Sequence, residues 1–162
     1  MRAMDIRTAT QADLPSLLTL INTAFAVERF FKNQDRLSAE DLDAHFRSGT
    51  FLVKEDAGRI TGCVYVTRHG DHAYFGLLAI DPAHQRTGIG RRLVAAAEEF
   101  ARETGARFMD LKLINLREEL PAIYQKLGYR VTGTAPYPPE RAHMLTQPVH
   151  FICMSKELGH RP

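Results

Sequence analysis

Apolar positions along the 162-residue chain change their period in an orderly way. Leu14, Leu17, Leu18, Ile21 and Phe25 recur at three- and four-residue spacing and predict a helix. Ahead of it, residues 4–8 read as a short strand. Thr10 to Asp13 comes close to a capping box with Asp in place of Glu, and Pro15 falls in the first turn, where its missing N–H costs little. Ser38 to Asp41 reads as a second cap, followed by a short helix carrying Leu42, His45 and Phe46 and ended by Gly49. The pattern then turns to strands. Residues 51–54, 59–67 and 73–80, joined by short turns, predict an antiparallel meander. Helical spacing returns at Leu93, Val94, Ala97, Phe100 and Ala101, with Gly105 at the expected left-handed terminus. Residues 107–114 alternate again. Because a helix joins them to 73–80, the two strands are expected to run parallel. Leu120, Ile123, Tyr124 and Leu127 share one helical face that Gly128 stops, with Pro121 near its start. Residues 129–135 and 149–156 read as two last strands paired with each other, and 136–148, with four prolines, as a loop.

Residues 26–36 mix aromatics and charges without clean periodicity. Two readings stay open. One is a solvated connector with Phe30 and Phe31 packed inward. The other is a substrate-side wall in which Glu28 and Arg36 hold polar ligand groups.

Composition narrows the function classes. Apolar residues at 44% and charged ones at 25% describe an ordinary soluble globule, and the length suits one domain over 1–162. With 21 Lys+Arg against 19 Asp+Glu the formal charge is +2, too balanced for the concentrated basic face that nucleic-acid binding needs. Cys63 and Cys153 fall in expected strands without metal or disulfide spacing, as buried thiols of a reducing cytoplasm would. They also lack an activation signature that would favour covalent catalysis. No run approaches 18 apolar residues and no apolar signal segment opens the chain, so no membrane partner is expected.

The chemistry concentrates between the strand at 73–80, closed by Asp81-Pro82, and the helix that follows. His84-Gln-Arg-Thr-Gly88-Ile-Gly90-Arg-Arg92 forms a loop and a helix start. The first N–H groups of a helix lack intrahelical partners, and the macrodipole adds positive charge to them. Gly88 and Gly90 carry no Cβ, so a ligand can approach the backbone closely, and Arg86, Arg91 and Arg92 add formal charge. Such a place suits an anion, most simply a phosphate or pyrophosphate. A Walker loop is excluded because no Gly-Lys-Ser/Thr follows, and a dinucleotide fingerprint because position 93 is Leu. Glycine at a strand–helix turn is also ordinary turn chemistry.

Gln85-x-x-Gly88-x-Gly90 after that strand resembles the acetyl-CoA pyrophosphate loop of the GNAT-type N-acetyltransferases. A second segment, Tyr124-Gln-Lys-Leu-Gly-Tyr129, resembles the family's Tyr-x-Lys-Leu-Gly-Phe, with Tyr129 replacing Phe. The order of elements fits over nearly the whole chain. The resemblance implies an α/β (α+β) GNAT fold, a mixed, mostly antiparallel twisted sheet of about seven strands flanked by about four helices. It implies acetyl-CoA as co-substrate, no metal, and transfer to a small-molecule amine or a peptide or protein amine by direct attack. It assigns the cofactor to Leu78, Ala79 and Ile80, to the loop Gln85, Arg86, Thr87, Gly88, Ile89, Gly90 and Arg91, and to Asn115. Tyr124 would give a proton to the leaving thiolate; taken alone it reads as a core tyrosine. Some members carry a glutamate base where this chain has Tyr74, which cannot act as a carboxylate. Tyr74 joins Glu28 and Arg36 on the acceptor side, with the loop 136–148. Glu28, His72 and His150 are candidate bases, His150 first, with a water chain as the alternative. A non-catalytic acyl-CoA-binding module on the same fold is the competing class. The last strand, 149–156, is expected as an edge that offers pairing in a homodimer.

Overall fold

The computed structural model describes residues 6–159, so Met4 and Asp5 of the predicted first strand lie outside the described residues. Seven strands form one mixed sheet: β1 (Ile6–Thr8), β2 (Thr50–Asp56), β3 (Arg59–His69), β4 (His72–Ile80), β5 (Phe108–Ile114), β6 (Arg130–Pro136) and β7 (His150–Glu157). Their spatial order is β1-β2-β3-β4-β5-β7-β6. Every neighbouring pair is antiparallel except β4 and β5, which are parallel as their helical connection requires. Four α-helices accompany them: α1 (Leu14–Ala24), α2 (Ala39–Ser48), α3 (Ile89–Glu103) and α4 (Leu120–Lys126). No helix among the described residues is long and apolar enough to cross a membrane.

Local chemistry explains the helix starts. Ser38 Oγ accepts the Asp41 N–H at 3.0 Å, capping α2. Before α1, the Thr10 N–H donates to Asp13 at 2.7 Å within a capping box. Arg7 reaches the same carboxylate with two N–H groups, at 2.8 and 3.0 Å, and holds its pKa down at about 2. A folded pKa below the unfolded value of about 3.9 stabilises the fold above that pH and loses the effect as pH falls to the folded value. Chemical denaturation should therefore show stability dropping between about pH 4 and 2, with a shallower drop in Asp13→Asn.

The sheet separates two cores. On one face α1 and α2 cover Phe51, Val53, Cys63, Tyr65, Leu77 and Ala79. On the other, α3 and α4 cover Val64, Val66, Phe75, Met109 and Leu111. The alternation of β4 breaks in the middle. Cys63 faces Ala79 and Tyr65 faces Gly76, so β4 carries one residue more than β3, and Leu77 takes a left-handed φ of +50°. This bulge turns Leu77 and Ala79 toward the α1 core, whereas Phe75 faces the α3 core. Pairing of β4 with β5 is confined to His72–Tyr74 against Phe108–Asp110. Beyond it the strands part, and the gap becomes the site. Helix α3 is seated beside this gap at close range. A Cβ on Gly62 of β3 would lie 2.9 Å from Leu93 and 3.0 Å from Ile89, so only glycine lets the helix start so near the sheet.

Three expectations need correction. The strand predicted as an edge, β7, is interior, hydrogen-bonded to β5 on one side and β6 on the other. Its residues from Phe151 to Lys156 are all at least half-buried, with Met154 at 1% exposure, which reflects that place, and it offers no free edge to a homodimer. Residues 136–148 are not wholly loop: Pro139–Met144 forms a 3₁₀ helix with proline in its first turn, where no donor is missed. That segment is tied to the connector after α1 by Asn33 N–H to Met144 O at 2.9 Å and Thr146 N–H to Phe31 O at 2.8 Å. Phe31 is fully buried, but its neighbour Phe30 is 51% exposed, because adjacent residues of a turn cannot both face inward.

Candidate active site

A cavity of about 460 Å³ opens where β4 and β5 part. Its first wall is backbone. Asp81 N–H bonds to Thr61 O at 2.9 Å, and Ala79 pairs with Cys63, so odd positions after the bulge turn to β3. Leu78 and Ile80 therefore present their N–H and C=O groups to the unpaired side, in the manner of an open strand edge. Gln85 Nε2 lies 3.4 Å from the Ile80 carbonyl. The chain then turns through Pro82–His84, where the Asp81 carboxylate accepts the Ala83 N–H at 3.0 Å. Thr87 Oγ1 donates to the His84 carbonyl. Gly88 stands at the N-cap of α3 with φ +87°, a left-handed conformation that costs a non-glycine residue about 1–2 kcal/mol. The first intrahelical bond runs from Arg92 N–H to Gly88 O at 3.1 Å. The amides of Ile89, Gly90 and Arg91 precede it and have no intrahelical acceptor. Arg86 is exposed and also left-handed, at φ +67°.

Tyr124 on α4 forms the next wall, 8% exposed, against the rings of Phe75 and Tyr129. Burial pushes its phenol up to about 12, with the nearby Arg117 charge working the other way. Tyr129, where the family segment has Phe, uses its extra oxygen: the hydroxyl donates to Glu98 at 2.7 Å. Lys156 satisfies both Glu98 oxygens at 3.0 and 3.1 Å, so the acid sits in a closed network away from the cavity. Cys63 is buried and its thiol is pushed up to about 12 by desolvation. It donates to the Leu77 carbonyl at 3.5 Å, a brace for the bulge and no nucleophile.

The third wall is charged. Glu28, 5% exposed, holds Lys32 at 3.3 Å with one oxygen and Arg117 at 3.3 Å with the other. Lys32 is 4% exposed, and its ammonium is pushed down by burial, with further repulsion from Arg36 and Arg141. Arg36 stacks over Phe25 at 5.4 Å. Tyr74 points from β4 along the strand, its hydroxyl lying where a Cβ on Gly76 would be 2.9 Å away, and burial raises its pKa. Tyr137, Pro138 and Arg141 come in from the segment after β6.

Of the residues selected from the sequence, Glu28, Arg36, Tyr74, Leu78, Ile80, Gln85 and Tyr124 all line this cavity. The rest of the loop from Arg86 to Arg91 lies just beyond Gln85. Within it Ile89 is a core residue, as is Ala79 on the opposite face. His150 does not belong here. It is exposed at the start of β7, and its N–H donates to Asn115 Oδ1 at 2.9 Å. That bond commits the Asn115 side chain to joining β5 and β7. His72 is also exposed, paired with Asp110 at 2.8 Å and stacked on Phe108. No histidine among the described residues lines the cavity. Lys32, Arg117 and Arg141 were missed. Their signal is three-dimensional, since connectors far apart in sequence bring them together.

A family profile described as acetyltransferase (GNAT) domain matches residues 47–131. The L-amino acid N-acyltransferase MnaT of Escherichia coli is 27% identical over an alignment of 146 residues that covers 82% of this chain and 83% of that protein. Among solved structures, the ribosomal-protein-S18-alanine N-acetyltransferase of Escherichia coli superposes with TM-score 0.76 at 17% identity, covering 97% of this chain and 95% of that one. An aminoglycoside 6'-N-acetyltransferase complexed with coenzyme A gives TM-score 0.74 at 18% identity, over 97% and 98%. At these identities the two structures speak for a common fold.

Proposed function

The chain belongs to the acetyltransferase (GNAT) domain family, and from that premise we propose that it transfers an acetyl group from acetyl-CoA to a primary amine by direct attack within a ternary complex. The observation that carries this reading is the continuity of the cavity. It runs from the open backbone edge at Leu78 and Ile80, past a buried phenol, to a charged pocket. Leu78 and Ile80 would pair with the extended arm of the cofactor as a strand would, and the amides of Ile89, Gly90 and Arg91, with the arginines beside them, would hold its phosphates. The bound thioester supplies the activated acetyl group.

The amine nitrogen forms its bond to the carbonyl carbon and the carbon–sulfur bond breaks. One proton leaves the amine and one reaches the departing thiolate. Tyr124 is the donor for the second: of the three tyrosines that line the cavity, Tyr74, Tyr124 and Tyr137, it is the one carried by the family-like segment Tyr124–Tyr129. Water in the open cleft takes the first. Both Glu28 oxygens are engaged by cations, which leaves that carboxylate the role of organising Lys32 and Arg117.

Release of CoA thiol, followed against a panel of primary amines, tests the activity; no release with any of them, with acetyl-CoA bound, would favour a non-catalytic binding module. The cofactor half has its own test. A Cβ on Gly90 would meet nothing nearer than Ile80 at 3.9 Å, whereas Gly88 cannot change without strain. Gly90→Val should therefore weaken acetyl-CoA binding by about tenfold or more, roughly 1.4 kcal/mol, at nearly parental thermal stability. Calorimetry giving an unchanged affinity would remove the α3 start from the cofactor site.

A further inference from the structure

The charged wall has more positive charge than its own carboxylate balances. Glu28 is matched by Lys32 and Arg117, and Arg117 also pairs with Glu119 at 2.9 Å. Asp35, on the neighbouring connector, is taken by Arg29. Among the described residues, neither Arg36 nor Arg141 forms an ion pair, yet both line the cavity beside Lys32. Two guanidiniums and a buried ammonium turned toward one space repel one another, and their field already lowers the affinity of Lys32 for its proton. A neutral or cationic acceptor would leave that repulsion in place. An anionic group between Arg36 and Arg141 removes it, and a planar carboxylate matches the fork of a guanidinium.

We propose that the acceptor is an amine that also bears a carboxylate, an α-amino acid in its simplest form, with Arg36 and Arg141 gripping the carboxylate and so aiming the amine at the gap between β4 and β5. The proposal rests on the acetyltransferase reading above. Tyr74, Phe25 and Tyr137 would enclose the rest of the molecule. Arg36 stacks at 5.4 Å over the ring of Phe25, which itself lines the cavity.

The test measures CoA-thiol release with L-leucine, L-phenylalanine and L-glutamate, each beside its α-carboxamide and its decarboxylated amine, and with phosphoethanolamine. The acids should be preferred over their carboxamides by about tenfold or more in kcat/KM. In Arg36→Gln and in Arg141→Gln that preference should fall toward unity through the acceptor KM, with the acetyl-CoA KM within about twofold of the parent. Preference for the carboxamides or the simple amines, preference for phosphoethanolamine, or an acid preference untouched by both substitutions would overturn the proposal while leaving acetyl transfer standing. No release with any acceptor would overturn acetyl transfer itself, and this proposal with it.

Discussion

Tyr124→Phe should lower the turnover number by roughly 10²–10⁴-fold, the usual worth of a positioned general acid, with acetyl-CoA affinity within a few-fold of the parent. The substitution keeps the ring against Phe75 and Tyr129 and removes only the hydroxyl. Burial sets how that hydroxyl acts. With the phenol at about 12, it stays protonated at every ordinary assay pH. A free thiol ionises near 8.5, so complete transfer to a free thiolate would be uphill by about 3.5 units, roughly 5 kcal/mol. The phenol would therefore serve first as a hydrogen-bond donor to charge developing on sulfur. That interaction strengthens as the carbon–sulfur bond breaks, and such differential stabilisation appears in kcat. Tyr124 also contributes no falling limb to the pH–rate profile below about pH 11, since the group that must be protonated remains so. Near-parental turnover in the Phe variant, where chemistry limits the rate, would return Tyr124 to core packing.

Glu28→Ala should destabilise the protein by about 3–5 kcal/mol, the range for breaking a buried ion pair from one side. For a chain of this size that is a fall in melting temperature of about 6–20 °C. Removing this acid leaves Lys32, at 4% exposure, facing Arg36 and Arg141 without its counter-charge. The lysine's folded pKa is already depressed, and the substitution lowers it further. A depressed lysine penalises the fold below its folded pKa, and the penalty disappears as pH rises to the unfolded value near 10.4. The deficit of Glu28→Ala should accordingly shrink in alkaline buffer. Lys32→Met in the same background should recover most of the loss, because it removes the stranded charge and keeps the volume. A Glu28→Ala protein within about 0.5 kcal/mol of the parent in denaturant would refute this account.

The elements were legible because each is written locally. Apolar spacing, caps at Thr10 and Ser38, and stops at Gly105 and Gly128 give the order of strands and helices, and a parallel connection through α3 follows from it. The loop after β4 was legible for the same reason: glycines and arginines adjacent in sequence are adjacent in space. The acceptor wall was not. Glu28 and Arg36 could be selected as polar residues without a face, but their partners are Arg117 and the neighbourhood of Arg141, which no period connects. The bulge after Gly76 puts its left-handed φ on Leu77, not on the glycine, and so looks like plain strand, although it decides which side chains of β4 meet which core. His150 stands at the start of β7, beside the end of β5, yet its side chain is left in solvent, outside the cavity lining. Pairing order along the sheet is likewise non-local. Two final strands joined by a hairpin fit either way round, and only the apolar face of β7, against the exposed residues of β6, fixes which one goes inside.

That outcome decides what the sheet shows to other molecules at its margin. β6 is seven residues long, nearly all exposed, broken by a register shift between Val131 and Gly133, and closed by Pro136, which has no N–H to offer. At the opposite margin β1 has three residues among those described, Ile6–Thr8. A flat row of free donors and acceptors is the template on which chains add to one another edge to edge, and neither margin supplies one. The unpaired backbone at Leu78 and Ile80 instead lines the cavity where β4 and β5 part. The open backbone of the sheet is thus confined to the cavity, and the arrangement predicts little edge-to-edge association at high concentration.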